Sequence, residues 1–166
     1  IDLGLLFDAY RIASAYFFSA RRHLRYLTAA HSAEQNSRRN QRHRTAFYRD
    51  IDSIAEIGRT AAEKRSMRLY QHTLNLLLRL SMEPDTHMSH DLRRQVLHRV
   101  RNTATESPSA TLQQVITLNS MVYTLGDYIS LANQASCDEN ARTFSRENVS
   151  LILEIMVNVI WAVSYT

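Results

Sequence analysis

Glycine and proline are almost missing from this chain, whose 166 residues contain three glycines and two prolines. All-β folds and glycine-rich phosphate-binding loops both need frequent glycine or proline in their turns, so this scarcity argues against both. Apolar residues instead recur at alternating spacings of three and four, which is the period of an amphipathic helix. Neither strand alternation nor a repeat of about 20 to 50 residues is found. The sequence therefore predicts an all-α protein.

The length and composition are typical of one globular domain. A chain of 166 residues can bury roughly 70% of its unfolded surface, and 45% of these residues are apolar while 22% are charged. The chain begins with Ile1 rather than methionine, so we expect a fragment of a longer protein. We predict that residues 1–166 form a single-domain bundle of five or six helices with a long N-terminal helix.

The first predicted helix, from Asp2 to about Ala30, carries an apolar heptad stripe that Phe7 and Phe18 widen. At 1.5 Å per residue it would be about 43 Å long. A compact domain of this size has a radius of gyration of about 15 Å, so the helix is expected to overhang. We therefore predict a homodimer or higher oligomer. The residues predicted to take part in self-association are Leu3, Leu6, Tyr10, Phe17, Leu24 and Leu27.

Up to five more helices are predicted. Gly58 separates the second from the third, but one glycine destabilises a helix by only about 1 kcal/mol, so a single continuous helix is the alternative. The second helix is predicted to begin at about His43 and to reach Gly58, and the third to run from about Thr60 to Met82. The fourth helix begins after Ser89, the fifth runs from Ser107 to about Ala135, and the sixth begins after Ser145. Leu92, Val96 and Val100 should face inward on the fourth helix. The fifth helix is expected to be central, because it carries a long apolar stripe. The residues of this stripe are Val115, Leu118, Val122, Leu125, Ile129 and Ala132.

Arginine is concentrated near the N-terminus. Residues 21–44 contain seven arginines, three histidines, no lysine and one acidic residue, Glu34, and the whole chain has 19 arginines against one lysine. The guanidinium group binds phosphate and carboxylate through paired hydrogen bonds, so the bias can be functional, but a GC-rich genome would produce it too. Residues 32–42 have no apolar periodicity and are predicted to form a mobile basic linker.

The arginine-rich stretch is the candidate binding surface, for nucleic acid or for an acidic protein partner. Phosphate contacts would give affinity for duplex DNA without sequence choice. A solvated charged face is the alternative without function. The candidate residues are Arg21, Arg22, Arg25, Arg38, Arg39, Arg42, Arg44 and Arg49.

Other chemistries find little support in the sequence. His87, His90 and Asp91 cluster but lack further ligands at a familiar zinc spacing. Cys137 lies beside two acidic residues, which disfavour a reactive thiolate. No hydrolase, nucleotide-binding or metalloprotease motif occurs. The apolar run 149–163 is too short to span a bilayer. We expect no enzyme activity, no metal, no cofactor and no membrane partner.

Several segments along the chain are similar to one viral family. They are "DL…AY" at residues 2–10, "HLRYL" at 23–27, "MEPD" at 82–85, "VLHRV" at 96–100 and "LNSMVYTLGDY" at 118–128, with Glu147 and Tyr165 at similar spacing. This order resembles the conserved central region of the adenovirus DNA-encapsidation protein, the 52/55-kilodalton late product. Two shorter segments, "LHRV" at 97–100 and "NSMV" at 119–122, also resemble the adenovirus minor capsid protein IIIa, a structural cement protein.

The first resemblance implies a non-enzymatic packaging factor that acts in the host nucleus during capsid assembly. Its implied partners are the viral packaging ATPase and DNA–core protein complexes, and self-association is implied as well. The resemblance assigns no individual DNA-contact residue. The second resemblance implies the alternative function of a capsid cement protein.

Overall fold

A computed structural model describes residues 3–29, 37–82, 90–106, 118–123, 125–127, 129–130, 146 and 149–157 of the chain. Four helices have full bounds: α1 Leu3–Ala29, α2 Ser37–Glu63, α3 Met67–Ser81 and α4 His90–Glu106. The described residues of 118–130 and of 149–157 are also helical, and we label them α5 and α6. Within these ranges only residues 64–66 and Met82 are not helical, and no strand occurs there. The predicted all-α bundle with a long N-terminal helix is confirmed.

Helices α1 to α4 alternate in direction. His23 near the end of α1 contacts His43 near the start of α2, so these two helices are antiparallel. Tyr10 and Phe17 of α1 meet His72 and Arg79 of α3 in the same order, so α3 runs parallel to α1. Both α1 and α4 pack against α2 and α3, which form the centre of the bundle.

The inward stripes of these helices make one continuous core. Ala13, Phe17, Ala20 and Leu24 of α1 are at most 2% exposed, and the predicted inward residues Leu92, Val96 and Val100 of α4 are buried as well. The largest fully buried side chains are Tyr70, Phe17, Phe47, Ile51, Ile54, Leu74, Leu77, Leu80, Leu92, Leu97 and Met121. Burial of this size supplies the main stabilisation of the fold.

Helix α2 corrects the predicted linker. The residues of Ser37–Arg42 are helical, so α2 begins six residues before the predicted start at His43, and residues 32–36 lie outside the described ranges. Arginine and glutamine are good helix formers, and this part of α2 contacts α1 through polar groups. A helix can therefore form in this segment without a periodic pattern of apolar residues.

The break between α2 and α3 also differs from the prediction. Gly58 lies inside α2, buried where α2 crosses α3, and a Cβ atom there would lie 2.7 Å from the hydroxyl oxygen of Thr73. The chain turns instead at Arg65, whose φ of 58° is in the left-handed region. The amide of Ser66 donates to the Ala61 carbonyl at 2.8 Å and that of Arg65 donates to the Ala62 carbonyl at 3.1 Å. These two bonds form a Schellman cap, and α3 starts at Met67 rather than Thr60.

The predicted overhang of α1 is wrong because α2 is equally long, at 27 residues, and runs back along it. Phe17 and Leu24 are 1% and 2% exposed inside the chain's own core, so neither is available to a second copy. Leu6, Tyr10 and Leu27 are half-buried against the same core, and the side chain of Leu3 lies outside the described set.

Burial also corrects two other predictions about apolar residues. Phe7 and Phe18 lie off the packed face of α1, at 73% and 57% exposure. On α5, Leu118 and Leu125 of the predicted stripe pack partly buried against the core, but Val122 and Ile129 are about half exposed and Met121 is fully buried, so the inward face is turned toward Met121. The predicted caps at Ser89, Ser107 and Ser145 lie outside the described residues.

Candidate functional site

The fold brings the two halves of the arginine-rich stretch to one end of the bundle. Because α1 and α2 are antiparallel, the last turns of α1 lie beside the first turns of α2. Nδ1 of His23 and Nδ1 of His43 are 2.9 Å apart, and the ring of Tyr26 stacks on His43 at 4.5 Å between centroids and 11° between planes. The guanidinium carbon of Arg39 lies 5.3 Å from the centre of the Tyr26 ring. We call residues 21–26 and 38–49 the arginine-rich end.

The two histidines form a hydrogen bond in which one ring donates and the other accepts. Burial lowers the pKa of His43, and the neighbouring His23 and Arg39 lower it further. The lowered pKa favours the neutral His43 ring, which can accept or donate in this bond. Nε2 of His23 lies 4.0 Å from the carboxylate of Asp50, which is 8% exposed. The oxygen of Asp50 nearest to His23 has no hydrogen-bond partner among the described residues.

Six of the eight predicted arginines are exposed at this end. Arg38, Arg42 and Arg49 lie on one outward stripe of α2, Arg39 faces Tyr26 of α1, and Arg22 and Arg25 project from α1. Arg21 and Arg44 are half-buried. The structure therefore places most of the predicted binding residues where a partner can reach them.

The outward stripe of α2 changes sign along its length. After Arg49, the next exposed charged residues on α2 are Asp52 and Glu56, and Glu56 pairs with Arg59 at 2.8 Å. Asp52 is itself paired with Arg99 of α4 at 2.9 Å. On this outward stripe the excess of positive charge therefore lies at the arginine-rich end, where a polyanion is attracted most strongly.

The opposite end of the α1–α2 pair is apolar. A cleft of about 640 Å³ is lined there by Leu6, Ile12 and Tyr16 of α1, by Ile57 of α2 and by Leu69 of α3. Leu5 and Ile12 at this cleft are 68% and 44% exposed. The two long helices therefore present a charged end and an apolar end.

No group of three metal-ligating side chains occurs among the described residues. His23 faces His43 with Nδ1 and Asp50 with Nε2, so one ion cannot be bound by all three side chains. His87 and Cys137 lie outside the described residues, as do the side chains of His90 and Asp91. None of the helices in the described ranges has the length and apolar character to cross a membrane.

The arginine-rich end also contains histidine and tyrosine side chains that were not among the predicted site residues. His23, His43 and Tyr26 join α1 to α2, although none of them belongs to an apolar stripe. Their only signal in the sequence was the presence of three histidines among the arginines.

Comparisons with protein-family models, with curated proteins and with solved structures find no match to this chain.

Proposed function

We propose that this chain is a non-enzymatic helical factor of viral genome packaging, which binds packaging partners and duplex DNA through its arginine-rich end in the host nucleus. The observation that carries the binding role is the joint exposure of Arg38, Arg42 and Arg49 on one stripe of α2, beside Arg22 and Arg25 of α1. The assignment to packaging, with a packaging ATPase and DNA–core protein complexes as partners, is supported by the resemblance of segments 2–10 and 118–128 to the adenovirus encapsidation family.

A rigid helical platform suits contact with a phosphate backbone. Residues 37–49 belong to one helix, so their arginines are spaced by its turns instead of being carried by a mobile loop. Guanidinium groups on successive turns can contact neighbouring phosphates without reading bases. We expect weak binding, with a Kd of roughly 10⁻⁴ to 10⁻⁶ M, and little sequence preference.

A salt titration tests the proposal. If about four arginines reach phosphates, log Kd against log salt concentration should have a slope magnitude of about 3.6, since each contact contributes about 0.9. Replacing Arg38, Arg42 and Arg49 with alanine should lower that magnitude by about 2.7 for two unrelated duplexes. The matched control replaces Arg11, Lys64 and Arg68, which are also exposed but lie elsewhere. Equal slopes for the two triple variants would remove DNA as a ligand of the arginine-rich end.

The exposed apolar residues of α1 favour a protein contact as well. Phe7 and Phe18 share one face of α1 and are both more than half exposed, which makes that face a candidate for a protein contact. They support the second candidate, a capsid cement protein. Mass spectrometry distinguishes the two functions, because a cement protein is retained in mature particles and a packaging factor is enriched in immature ones.

Self-association belongs to the proposal, but with Phe7 and Phe18 in place of the buried Phe17 and Leu24. Light scattering at tens of micromolar should give a dimer or larger species. The double substitution of Phe7 and Phe18 by serine should give a monomer. A monomeric wild-type domain would contradict this part of the proposal.

A further inference from the structure

A second basic region lies between α2 and α4, outside the arginine-rich end. It is a cleft of about 360 Å³ whose walls come from residues 52–59 of α2 and residues 95–103 of α4. Three guanidinium groups line it, from Arg59, Arg99 and Arg101, against a single carboxylate, that of Asp52. Pockets of this size, with a few convergent polar groups, are typical of small-ligand sites.

The arginines of the cleft are held in position by neighbouring groups. Nε of Arg99 donates to the Asp52 carboxylate at 2.9 Å, and its Nη1 donates to the Gln95 carbonyl at 3.1 Å and to the Gln95 side-chain oxygen. Arg59 pairs with Glu56 at 2.8 Å. Side chains fixed in this way lose little conformational entropy when a ligand binds.

His98 lies among several arginines at this cleft. Burial lowers the pKa of its ring, Arg101, Arg94 and Arg99 lower it further, and Glu154 acts in the opposite direction. Burial by itself disfavours any ion, whereas the arginine charges disfavour only a cation and attract an anion. Nδ1 of His98 is buried and has no hydrogen-bond partner among the described residues. In the tautomer protonated at Nδ1, the neutral ring can donate to an anion.

We propose that this cleft binds a phosphate group, with Arg59, Arg99 and Arg101 as charge-assisted donors and the ring of His98 as a further donor. Guanidinium groups match phosphate oxygens with paired hydrogen bonds. Asp52 opposes the anion, but its side chain is 58% exposed at the rim and screened by water. Free inorganic phosphate, a phosphorylated small molecule and a nucleic-acid backbone all present this chemistry.

The test is a titration of the whole domain with inorganic phosphate at constant ionic strength, followed by the NMR signals of the His98 ring. We expect saturable shifts. The double substitution R59A/R101A should weaken binding by about tenfold to a hundredfold, since it removes two charge-assisted donors. The matched control R11A/R68A removes the same charge from exposed residues outside the cleft and should change the affinity by less than about twofold.

Asp52→Asn supplies a test of opposite sign. It removes the only carboxylate among the residues that line the cleft, so phosphate should bind more tightly to this variant. Its partner Arg99 keeps the contacts to Gln95, and Asp52 is exposed, so folding should be preserved. Weaker binding to D52N, equal losses in the two double variants, or no saturation below about 10 mM phosphate would each overturn the proposal.

A duplex of 20 base pairs separates the sources of phosphate. Displacement of inorganic phosphate by the duplex assigns the cleft to a nucleic-acid backbone. Retention of phosphate assigns it to free phosphate or a phosphorylated small molecule, and both outcomes support a phosphate site. Substitution of Arg38, Arg42 and Arg49, which tests the arginine-rich end, should leave phosphate binding at the cleft intact. The two proposals can therefore fail independently.

Discussion

The first ten residues of α2 and the seventeen that follow form one continuous helix in two different environments. In residues 37–46 the helix carries Arg38, Arg39 and Arg42 in solvent and contacts α1 through His43 and Arg39. From Phe47 onward it buries a mainly apolar stripe, which includes the carboxylate of Asp50, between α1, α3 and α4. Helix propensity and a few polar contacts thus extend a helix that tertiary burial stabilises elsewhere.

The largest expected effect separates the two parts of α2. Ile51, fully buried in the second part, should cost about 2–5 kcal/mol of unfolding free energy when replaced by alanine, because the change leaves a cavity in the core. Arg42→Ala, in the exposed first part, should change it by less than about 0.5 kcal/mol. Urea denaturation measures both. A large loss for Arg42→Ala would mean that the basic part stabilises the fold, and the comparison would fail.

Gly58→Ala sharpens the description of the buried part. The added Cβ would lie 2.7 Å from the Thr73 hydroxyl, which donates to the Tyr70 carbonyl at 2.7 Å. Overpacking costs about 1–3 kcal/mol and the better helix propensity of alanine recovers about 1 kcal/mol, so we expect a net loss of about 1 kcal/mol.

Thr73→Ala provides the control for this substitution. It removes the clashing hydroxyl, so Gly58→Ala should cost less in that background, and a double-mutant cycle measures the difference. Independent effects of the two substitutions would show that α2 and α3 do not approach closely at Gly58.

Arg65→Gly tests how α2 ends. Arg65 adopts a φ of 58°, which costs a residue with a Cβ about 1–2 kcal/mol more than glycine, while glycine has more entropy to lose on folding. We expect a net stabilisation of about 0.5–1 kcal/mol by thermal unfolding. Glycine is the most common residue at this position of a Schellman cap. A lower stability of the Arg65→Gly variant would therefore mean that the Arg65 side chain has a structural role.

The smallest effect concerns pH and the contact between the exposed part of α2 and α1. The folded-state pKa of His43 lies below 6.5, so the unfolded chain takes up a proton near pH 6.5 that the folded chain resists. The free energy of unfolding should therefore fall as pH decreases below about 6.5. His72 and His98, whose pKa values are also lowered, contribute in the same direction.

His43→Gln isolates the share of His43, since glutamine keeps hydrogen-bonding capacity without titrating. The variant should show a shallower loss of stability between pH 6.5 and 5 than the wild type. His72→Gln serves as a comparison at the α1–α3 contact, where His72 lies 3.4 Å from the Ser14 hydroxyl. An unchanged pH profile for the His43 variant would show that the histidine pair does not join the helices in solution.

The stripes Ala13–Leu24 and Leu92–Val100 could be located from the sequence because a three-four spacing of apolar residues has one stable outcome, a helix with that face buried. The exposure of Arg22, Arg38 and Arg42 followed from their charge. The sequence alone also determined that the chain is all-α, through the scarcity of glycine and proline and the period of its apolar residues.

Only the tertiary structure decided where α2 begins and ends and what covers α1. Ser37–Arg42 are helical although they have no apolar periodicity. Helix α2 continues through Gly58, where the absence of a Cβ atom lets α3 approach closely, and it ends at Arg65 instead. The cleft of Arg59, Arg99 and Arg101 joins residues some 40 positions apart on two helices. Local sequence reports local preference, whereas pairing between distant helices depends on the shapes and charges of both surfaces, which no single segment contains.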